Sequence, residues 1–315
     1  MSITLNHLIN GIPSLGSYAR AMAELETVLN NPHSTLADLG NVIEKDPDLT
    51  ARLLKLGNSS FFGFPNRLET VAEAVSVIGI QQVQDLILAS SVVEIFEGIA
   101  ADLADMESFW KHSLACGIGA RCLAIARQIP KAEKFFVAGL LHDLGRLVLF
   151  SRAPGPVVEI FRLYQSRRML LREAEVSVLG FDHALIGETL LRSWQYPANL
   201  VNAVGCHHQP MSAGLYQLES SVVHLADYLV HAMQMGHSGE RFAPPFSQKA
   251  WERVGLATSI LESVIRSIDD QIEAVQDAFL KLPEKGVLEH PSAGPDEARL
   301  PGQPAKVQIP AQPRG

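Results

Sequence analysis

The amino-acid sequence predicts an all-α fold. Between Leu15 and Phe96 the apolar residues recur three and four positions apart, for example at Leu49, Leu53 and Leu56, and this spacing places them on one face of a helix. Capping residues precede several of these segments, and no alternating pattern typical of strands competes with them. The N-terminal part is therefore expected to form a compact bundle of short helices.

Three helix starts can be located in this part of the sequence. Ser34 or Thr35 precedes LADLGNVIE, and Thr70 precedes VAEAVSVI, so that each can accept a hydrogen bond from a free backbone N–H group of the first turn. Asp46 offers the same cap before DLTARLLKL, and Pro47 suits the first helical position because its fixed φ matches the helix. Each of these segments is predicted to be one helix.

A loop and a second helical region follow. Residues 57–65, GNSSFFGFP, interrupt the helical spacing and predict a loop whose three aromatic side chains cover the bundle. No flexible linker separates the two regions near residues 98–106, so we expect them to pack together as two helical subdomains, 1–105 and 106–282. Long helices are predicted at 109–128, 133–150, 183–194, 218–235 and 260–280.

The C-terminal segment has a different composition. Residues 283–315 are crowded with proline, glycine and charged residues. Such a segment cannot bury enough apolar surface to offset the entropy that is lost on ordering, so it is predicted to be a disordered tail.

Charge and composition argue against several classes of partner. The formal net charge is −8 over 315 residues, without a basic stripe, which disfavours nucleic acid and anionic lipid surfaces. The N-terminus lacks a basic start before a long apolar stretch, and no run of about eighteen apolar residues occurs, so we expect neither secretion nor a membrane span. The three cysteines lack a CxxC spacing and are expected to be reduced core residues in the cytoplasm.

The main clue to function is a set of residues suited to binding a divalent metal ion. Neutral imidazole and ionised carboxylate are the usual ligands of iron, manganese and zinc. Taken singly, a histidine or an aspartate is more often structural, but most of these residues fall together in predicted helices. The candidate ligands are His112, His142, Asp143, His183, His207, His208 and Asp227.

The doublet His142-Asp143 lies within the apolar stretch FFVAGLLHDLGRLVLF. Apolar residues such as Val137, Leu141 and Val148 would draw this helix, and the doublet with it, into a crowded interior. An unpaired carboxylate is very costly to bury, so Asp143 needs a hydrogen bond, a proton or a cation. A metal ion shared with His142 would satisfy both groups.

The segment LLHDLGR, residues 140–146, resembles the signature of the HD superfamily, whose phosphohydrolases bind metal through a first histidine, the HD doublet and a later aspartate. Over residues 8–235 the chain is similar to one branch of that superfamily, the HDOD domain, an HD-related output domain of bacterial signalling proteins. The similar motifs follow the family's order and are IPSL at 12–15, EKDPDLT at 44–50, GNSSFFG at 57–63, AVSVIG at 74–79, WKHS at 110–113, HDLG at 142–145, GFDHALIG at 180–187 and AVGCHHQP at 203–210.

The resemblance implies an all-helical fold, in which an HD-like helical bundle forms the C-terminal half and an added helical subdomain forms the N-terminal half. It also implies roles for four candidate ligands. His112 matches the first histidine of the superfamily, and Asp227 matches its closing aspartate. His142 and Asp143 match the doublet, so these four residues could hold one metal ion.

The remaining candidates match a second metal position. His183, His207 and His208 are similar to second-metal ligands in the HD-GYP branch, which contains cyclic di-GMP phosphodiesterases, and Asp143 is placed to bridge. The resemblance therefore implies one or two ions of iron, manganese or zinc.

The chain departs from the HD-GYP pattern at positions that concern the substrate. Arg146 stands where that branch has a lysine, Gln209 stands where it has a glutamate, and no Gly-Tyr-Pro motif follows. Arg146 still offers a cation for contact with phosphate, although its planar fork cannot reproduce the point charge of a lysine.

Two further histidines flank the closing aspartate. His224 and His231 lie three and four positions from Asp227, so either can orient its carboxylate through a hydrogen bond. A polar helix face explains the same spacing, and both alternatives stay open.

Two functions agree with this resemblance. The first is a cytoplasmic signal-transduction or output module of the HDOD type, which acts through a signalling protein partner or a small ligand and retains the metal-like cluster as a structural or vestigial feature. The second is a metal-dependent phosphohydrolase that acts on a cyclic dinucleotide or a nucleotide, with a bound hydroxide as nucleophile. HDOD domains act mainly as output modules, so the resemblance favours the first function and does not imply catalysis.

Overall fold

A computed structural model of the protein describes residues 3–12, 24–64, 66–96, 98–101 and 103–280. Regular secondary structure within these residues is helical throughout, which confirms the predicted all-α class. The predicted tail, 283–315, lies outside the described residues. The helices are α1 (Leu5–Ile9), α2 (Leu36–Ile43), α3 (Pro47–Gly57), α4 (Val71–Ile78), α5 (Ile80–Ile95), α6 (Met106–Ala126), α7 (Glu133–Leu141), α8 (Leu144–Arg152), α9 (Pro154–Arg167), α10 (Leu171–Leu179), α11 (His183–Ser193), α12 (Ala198–Gly205), α13 (Gln217–Ala232), α14 (Gln248–Val254) and α15 (Leu261–Leu280), with a further helical stretch at 24–29.

The predicted helix starts of the N-terminal part are confirmed. Thr35 and Thr70 cap α2 and α4 through their side-chain oxygens, and each takes part in a reciprocal capping box. Asp46 caps α3, with Pro47 at the first position of the helix. Because the caps satisfy backbone N–H groups that a helix leaves free, these helices begin where the sequence predicts.

The aromatic loop after α3 connects the two halves of the chain. Phe61 is 3% exposed, and its ring centroid lies 4.7 Å from that of Phe136 in α7. The Arg121 guanidinium of α6 lies 4.3 Å from the centre of the Phe61 ring, which is a cation–π contact. One hydrophobic core continues from the N-terminal helices into the later ones. The division into subdomains at residue 105 stays a prediction.

Helices α6 and α7 cross closely enough to bring two histidines together. A Cβ atom on Gly139 would lie 2.5 Å from the carbonyl oxygen of Cys116, and one on Gly117 would lie 2.8 Å from a backbone carbonyl of α7. This approach therefore requires glycine on both helices. The crossing places the ring centroids of His112 and His142 5.3 Å apart.

The structure differs from the sequence prediction at the HD doublet. One continuous helix is predicted through it, but α7 ends at Leu141 and α8 begins at Leu144, so that prediction is wrong. Asp143 has φ −96° and ψ 14°, outside the range of an α-helix, and Nδ1 of His142 donates to the carbonyl of Gly139 at 2.7 Å. Both side chains of the doublet are buried next to each other at this break.

Helices α9, α10, α12 and α14 lie within the helical region predicted after residue 106, but the sequence prediction does not locate them individually. The apolar stripe of α9 is narrow, because Val157, Ile160 and Tyr164 are its buried residues. Such a stripe does not stand out from the charged residues around it.

No single helix of the described residues is long and apolar enough to cross a membrane. One pair that meets this requirement jointly, Val71–Ile78 with Gln82–Val93, is bent by 118°.

Candidate metal centre

The seven candidate ligands meet in one buried region, although they are spread over more than a hundred positions of the chain. Six of them are at most 3% exposed, and the seventh, His208, is partly buried. They come from several helices: His112 lies in α6, His142 and Asp143 lie between α7 and α8, His183 begins α11, His207 and His208 follow α12, and Asp227 lies in α13.

One group of ligand atoms surrounds the Asp227 carboxylate. Its Oδ1 lies 3.3 Å from Nε2 of His112 and 3.6 Å from Nε2 of His142. The sulfur of Cys116 belongs to the same group and lies 3.7 Å from Nε2 of His112. The ligand atoms of these four residues are all within 4.8 Å of one another, and we call them the first cluster.

His183, His207 and His208 form a second cluster. Their ligand atoms are also within 4.8 Å of one another, and the Nε2 atoms of His183 and His208 are 2.9 Å apart. Nδ1 of His183 lies 2.6 Å from Oε2 of Glu175, and Nδ1 of His207 donates to the carbonyl of Val204 at 2.6 Å. Because a hydrogen bond occupies Nδ1 of both rings, Nε2 is the nitrogen that can bind a metal ion.

Asp143 lies between the two clusters and contacts both. Its Oδ1 is 3.0 Å from Nε2 of His183, and its Oδ2 is 3.2 Å from Nε2 of His142. The same Oδ2 accepts hydrogen bonds from the Arg146 guanidinium and from the Ser238 hydroxyl. A carboxylate in this position can serve either cluster or bridge the two.

Two ligand atoms of the centre are buried without a hydrogen-bond partner. They are Nε2 of His142 and Nε2 of His207. Nδ1 of His142 carries the proton that it donates to Gly139, so its Nε2 turns toward the carboxylates of Asp227 and Asp143. Lone pairs that face one another in a dry interior are unfavourable unless positive charge lies between them. The arrangement fits a divalent cation, whose usual ligands are these groups.

Burial and neighbouring charges set different pKa values within the centre. Burial lowers the pKa of His112 to about 4 and the pKa of His207 to about 3. Burial and a neighbouring guanidinium lower the pKa of His183, but Glu175 and Asp143 outweigh them and raise it to about 9. Burial raises the pKa of the Asp143 carboxyl, but the surrounding cationic groups hold it well below its usual value. His112 and His207 are therefore neutral at pH 7, as metal ligands must be.

Two supporting residues were not predicted from the sequence. Glu175 is 1% exposed and accepts hydrogen bonds from the backbone N–H of His183 and from Nε of Arg146. Ser238 bonds to both Arg146 and Asp143. Glu175 follows the buried Leu171 of α10 by four positions, so both lie on the same face of the helix. This spacing is the feature of the sequence that could have predicted the burial of Glu175. The sequence around Ser238 carries no comparable signal.

The two histidines that flank Asp227 have different partners. Nδ1 of His231 lies 2.9 Å from Oδ1 of Asp227 and 3.0 Å from the backbone carbonyl of the same residue. Nδ1 of His224 instead donates to the carbonyl of His207 at 2.8 Å. His231 is therefore the histidine that contacts the Asp227 carboxylate. His224 instead holds the backbone of His207, a residue of the second cluster.

A cavity of about 160 Å³ opens beside the centre. Asp143, Asp227 and Arg146 line it, together with Arg172 and Pro244. Arg146, which the sequence predicts as a phosphate contact, is 3% exposed and is already bonded to two carboxylates and a hydroxyl. A phosphate-binding role for Arg146 stays a prediction.

The fold and this centre together define a class of protein, a helical bundle whose interior holds histidines and aspartates contributed by several helices. The family model of the HDOD domain matches residues 15–210, which is more than half of the chain. The chain belongs to the HDOD family, as the order of its motifs predicts. Asp227 lies beyond the matched residues.

Solved structures share this fold. An HDOD domain protein from Geobacter sulfurreducens has a TM-score of 0.69 at 21% identity and covers 84% of this chain and 92% of its own. A protein of Shewanella amazonensis SB2B, provisionally named a phosphohydrolase, has a TM-score of 0.65 at 24% identity and covers 84% of this chain and 97% of its own. At these identities the likeness establishes the fold.

An uncharacterized protein of Treponema pallidum (strain Nichols) is similar in sequence. It is 28% identical over 202 residues, which make up 64% of this chain and 38% of the relative. The chain thus spans less than half the length of that relative.

Proposed function

We propose that the protein is a signal-transduction module of the HDOD type whose centre holds one or two divalent metal ions. The observation that carries the metal-binding part is a pair of buried imidazole nitrogens without a hydrogen-bond partner, Nε2 of His142 and Nε2 of His207, which lie among the ligand atoms of the other candidate residues. Buried polar atoms that lack a partner cost about 1–3 kcal/mol each, and a cation between them would remove that cost. Membership of the HDOD family supports the signalling part.

The chain offers a complete set of ligands for this role. An ion of iron, manganese or zinc suits donors of imidazole nitrogen and carboxylate oxygen. Hydrogen bonds to Nδ1 fix the rings of His142, His183 and His207 with Nε2 directed into the centre. His183, whose pKa is raised to about 9, must release the proton on Nε2 when it binds an ion. When bound, such an ion acts as a Lewis acid and lowers the pKa of a bound water. The proposed ligands are His112, His142 and Asp227 in the first cluster, His183, His207 and His208 in the second, and Asp143 between them.

Two features favour signalling over hydrolysis of a cyclic dinucleotide. The Arg146 guanidinium is bonded to Asp143, Glu175 and Ser238, so it has few donors left for a phosphate. The cavity beside the centre measures about 160 Å³, whereas pockets for drug-sized ligands range from about 300 to 1,000 Å³. This cavity is therefore smaller than a typical ligand pocket.

A metal-dependent phosphohydrolase is the second candidate, and one observation favours it. The cavity adjoins both carboxylates, Asp143 and Asp227, and Arg172 on its wall is 30% exposed at the side chain. A small phosphate ester could enter this space and approach both carboxylates. We place this function second because the family resemblance favours an output module.

Metal content tests the centre. The full chain is purified without oxygen, and its iron, manganese and zinc are quantified before and after incubation with each metal. We expect at least one ion per chain, and its loss in Asp227→Ala, which removes the carboxylate of the first cluster. The exposed residue Asp270 provides the control, Asp270→Ala, which should keep the metal. A chain that binds none of the three metals would contradict the proposal.

Turnover and partner capture separate the two functions. The metal-loaded chain is assayed for hydrolysis of cyclic di-GMP and of nucleotides, and the tagged chain is used to capture partner proteins. The signalling proposal expects a captured partner and no turnover. Hydrolysis that disappears in Asp143→Ala would establish the phosphohydrolase in its place.

We also propose a cytoplasmic location. Its support is that Cys116, Cys122 and Cys206 are all unpaired, as expected where thiols stay reduced.

A further inference from the structure

Cys116, the fourth residue of the first cluster, lies in a position that suits a metal ligand. It follows His112 by four residues in α6, so both side chains lie on the same face of the helix. Cys116 is fully buried, and its sulfur is 3.7 Å from Nε2 of His112. The sulfur and the ligand atoms of His112, His142 and Asp227 all lie within 4.8 Å of one another.

Three of the six distances among the ligand atoms of the first cluster are close to those around one tetrahedral ion, and the other three are at most 4.8 Å. With bonds of about 2.3 Å to sulfur and about 2.0 Å to nitrogen and oxygen, a tetrahedron separates sulfur from nitrogen by about 3.5 Å and nitrogen from oxygen by about 3.3 Å. In the structure, Sγ of Cys116 lies 3.7 Å from Nε2 of His112. Oδ1 of Asp227 lies 3.3 Å from Nε2 of His112 and 3.6 Å from Nε2 of His142.

A weak hydrogen bond from the Cys116 thiol to His112 is the competing explanation. A thiol has one hydrogen, so it can satisfy Nε2 of His112 and no other atom. Nε2 of His142, which is buried in the same cluster, would still lack a partner. A single cation bound to all four residues accounts for both nitrogens.

We propose that Cys116 binds the ion of the first cluster through its thiolate. This inference rests on the proposed metal centre and adds a soft ligand to it. On binding, the S–H bond of Cys116 breaks, the sulfur forms a bond to the ion, and the proton passes to solvent, with no change of oxidation state. Thiolate favours zinc or ferrous iron, whereas manganese and magnesium favour oxygen ligands. Cys116 therefore makes the first cluster selective for the softer metals.

Cobalt(II) loaded into the full chain tests this ligand, because a thiolate bound to cobalt gives sulfur-to-metal charge-transfer absorption in the near ultraviolet. We expect this absorption in the unaltered chain and its loss in Cys116→Ser. Cys122→Ser is the matched control, since Cys122 lies in the same helix but outside the first cluster, and it should leave the absorption unchanged. In competition between zinc and manganese, Cys116→Ser should lower the preference for zinc by roughly tenfold or more.

The outcomes distinguish this inference from the proposed function. Cobalt that binds to the unaltered chain without charge-transfer absorption would overturn the thiolate ligand and leave the metal centre standing. A chain that binds none of cobalt, zinc, iron and manganese would overturn both. X-ray absorption at the zinc edge of the unaltered chain avoids any dependence on the folding of a variant. A sulfur neighbour at about 2.3 Å is expected there, and a shell of nitrogen and oxygen alone would refute it.

Discussion

The backbone of Gly145 packs directly against the carbonyl group of His183. A Cβ atom on Gly145 would lie 1.9 Å from that carbonyl oxygen and 3.0 Å from the backbone nitrogen of Gly187. Gly145 lies in α8, two residues after Asp143, and His183 begins α11. The close packing of α8 against α11 therefore determines the position of the Asp143 carboxylate relative to the His183 ring.

Replacing Gly145 by alanine is expected to push α8 away from α11. Backbone atoms cannot yield as the end of a flexible side chain can, so we expect the free energy of unfolding to fall by about 3 kcal/mol, measured by chemical denaturation. Metal bound at the second cluster should be lost as well. Gly155→Ala in α9 is the control, because a Cβ there meets nothing within 4 Å, and its stability should stay the same or rise by up to about 1 kcal/mol. Equal stability of the two variants would contradict the close packing.

Asp143→Asn is expected to remove metal from both clusters. The amide keeps the size of the side chain but lacks the negative charge that faces His142 and His183. Metal analysis should show that bound metal falls by more than half. The metal-free variant should also lose about 2 kcal/mol of stability, because Arg146 stays buried with one charged partner fewer. The exposed substitution Asp269→Asn should change neither quantity, and unchanged metal content in Asp143→Asn would refute the bridging position.

Glu175→Gln is expected to weaken the second cluster and spare the first. Glu175 orients His183 through its backbone N–H and its Nδ1, and loss of such an outer partner lowers metal affinity by about 10–100-fold. Calorimetric titration with zinc measures the affinity of each cluster. Glu262→Gln, at a side chain that is 76% exposed, serves as the control. Equal weakening of both clusters would indicate a general loss of structure and count against an orienting role.

The stability of the metal-free protein is expected to be greatest near pH 6.5, the ordinary pKa of histidine. Burial lowers the pKa of His112 to about 4 and that of His207 to about 3, so their contribution is complete above pH 6.5 and is lost as the pH falls through the folded values. Carboxylate partners outweigh burial at His183 and His231 and raise both pKa values to about 9. Their contribution is complete below pH 6.5 and is lost as the pH rises through 9.

Denaturation by urea in the presence of a chelator measures this dependence between about pH 4 and pH 9. A shift of one pKa unit corresponds to about 1.4 kcal/mol. The free energy of unfolding should therefore fall by a few kcal/mol on each side of the pH of greatest stability. The pKa values of the Asp143 and Asp227 carboxyl groups are lowered by the cations that outweigh burial, so their contribution to stability is complete above pH 3.8 and is lost only at lower pH, outside this range. A flat profile over this range would contradict the pKa values of the four histidines.

The features that could be predicted from the sequence are those set by local chemistry. The caps at Thr35, Asp46 and Thr70 depend on a few neighbouring residues, and the structure confirms them. The HD doublet was conspicuous because an apolar helix does not otherwise tolerate a histidine next to an aspartate. Family membership followed from the order of the motifs and is confirmed. Metal binding by the seven residues stays a prediction.

The features that could not be predicted depend on contacts between distant segments. Apolar spacing continues through residues 133–150, so nothing local marks the break between α7 and α8 at His142. Ser238 bonds to Asp143 across 95 positions of the chain, and no motif surrounds it. Cys116 was predicted to fill the core, since its nearness to Asp227 arises only when α6 and α13 pack together.

The proposed ligands come from segments that are far apart in the unfolded chain. Their separation has a consequence for the degradation of the protein in the cell. An ion bound to all of them would act as a removable cross-link between α6 and α13. Because it binds the native state alone, each increase in free metal would lower the population of open forms that proteases attack. Metal starvation would then shorten the lifetime of the protein, so its abundance would follow the metal supply.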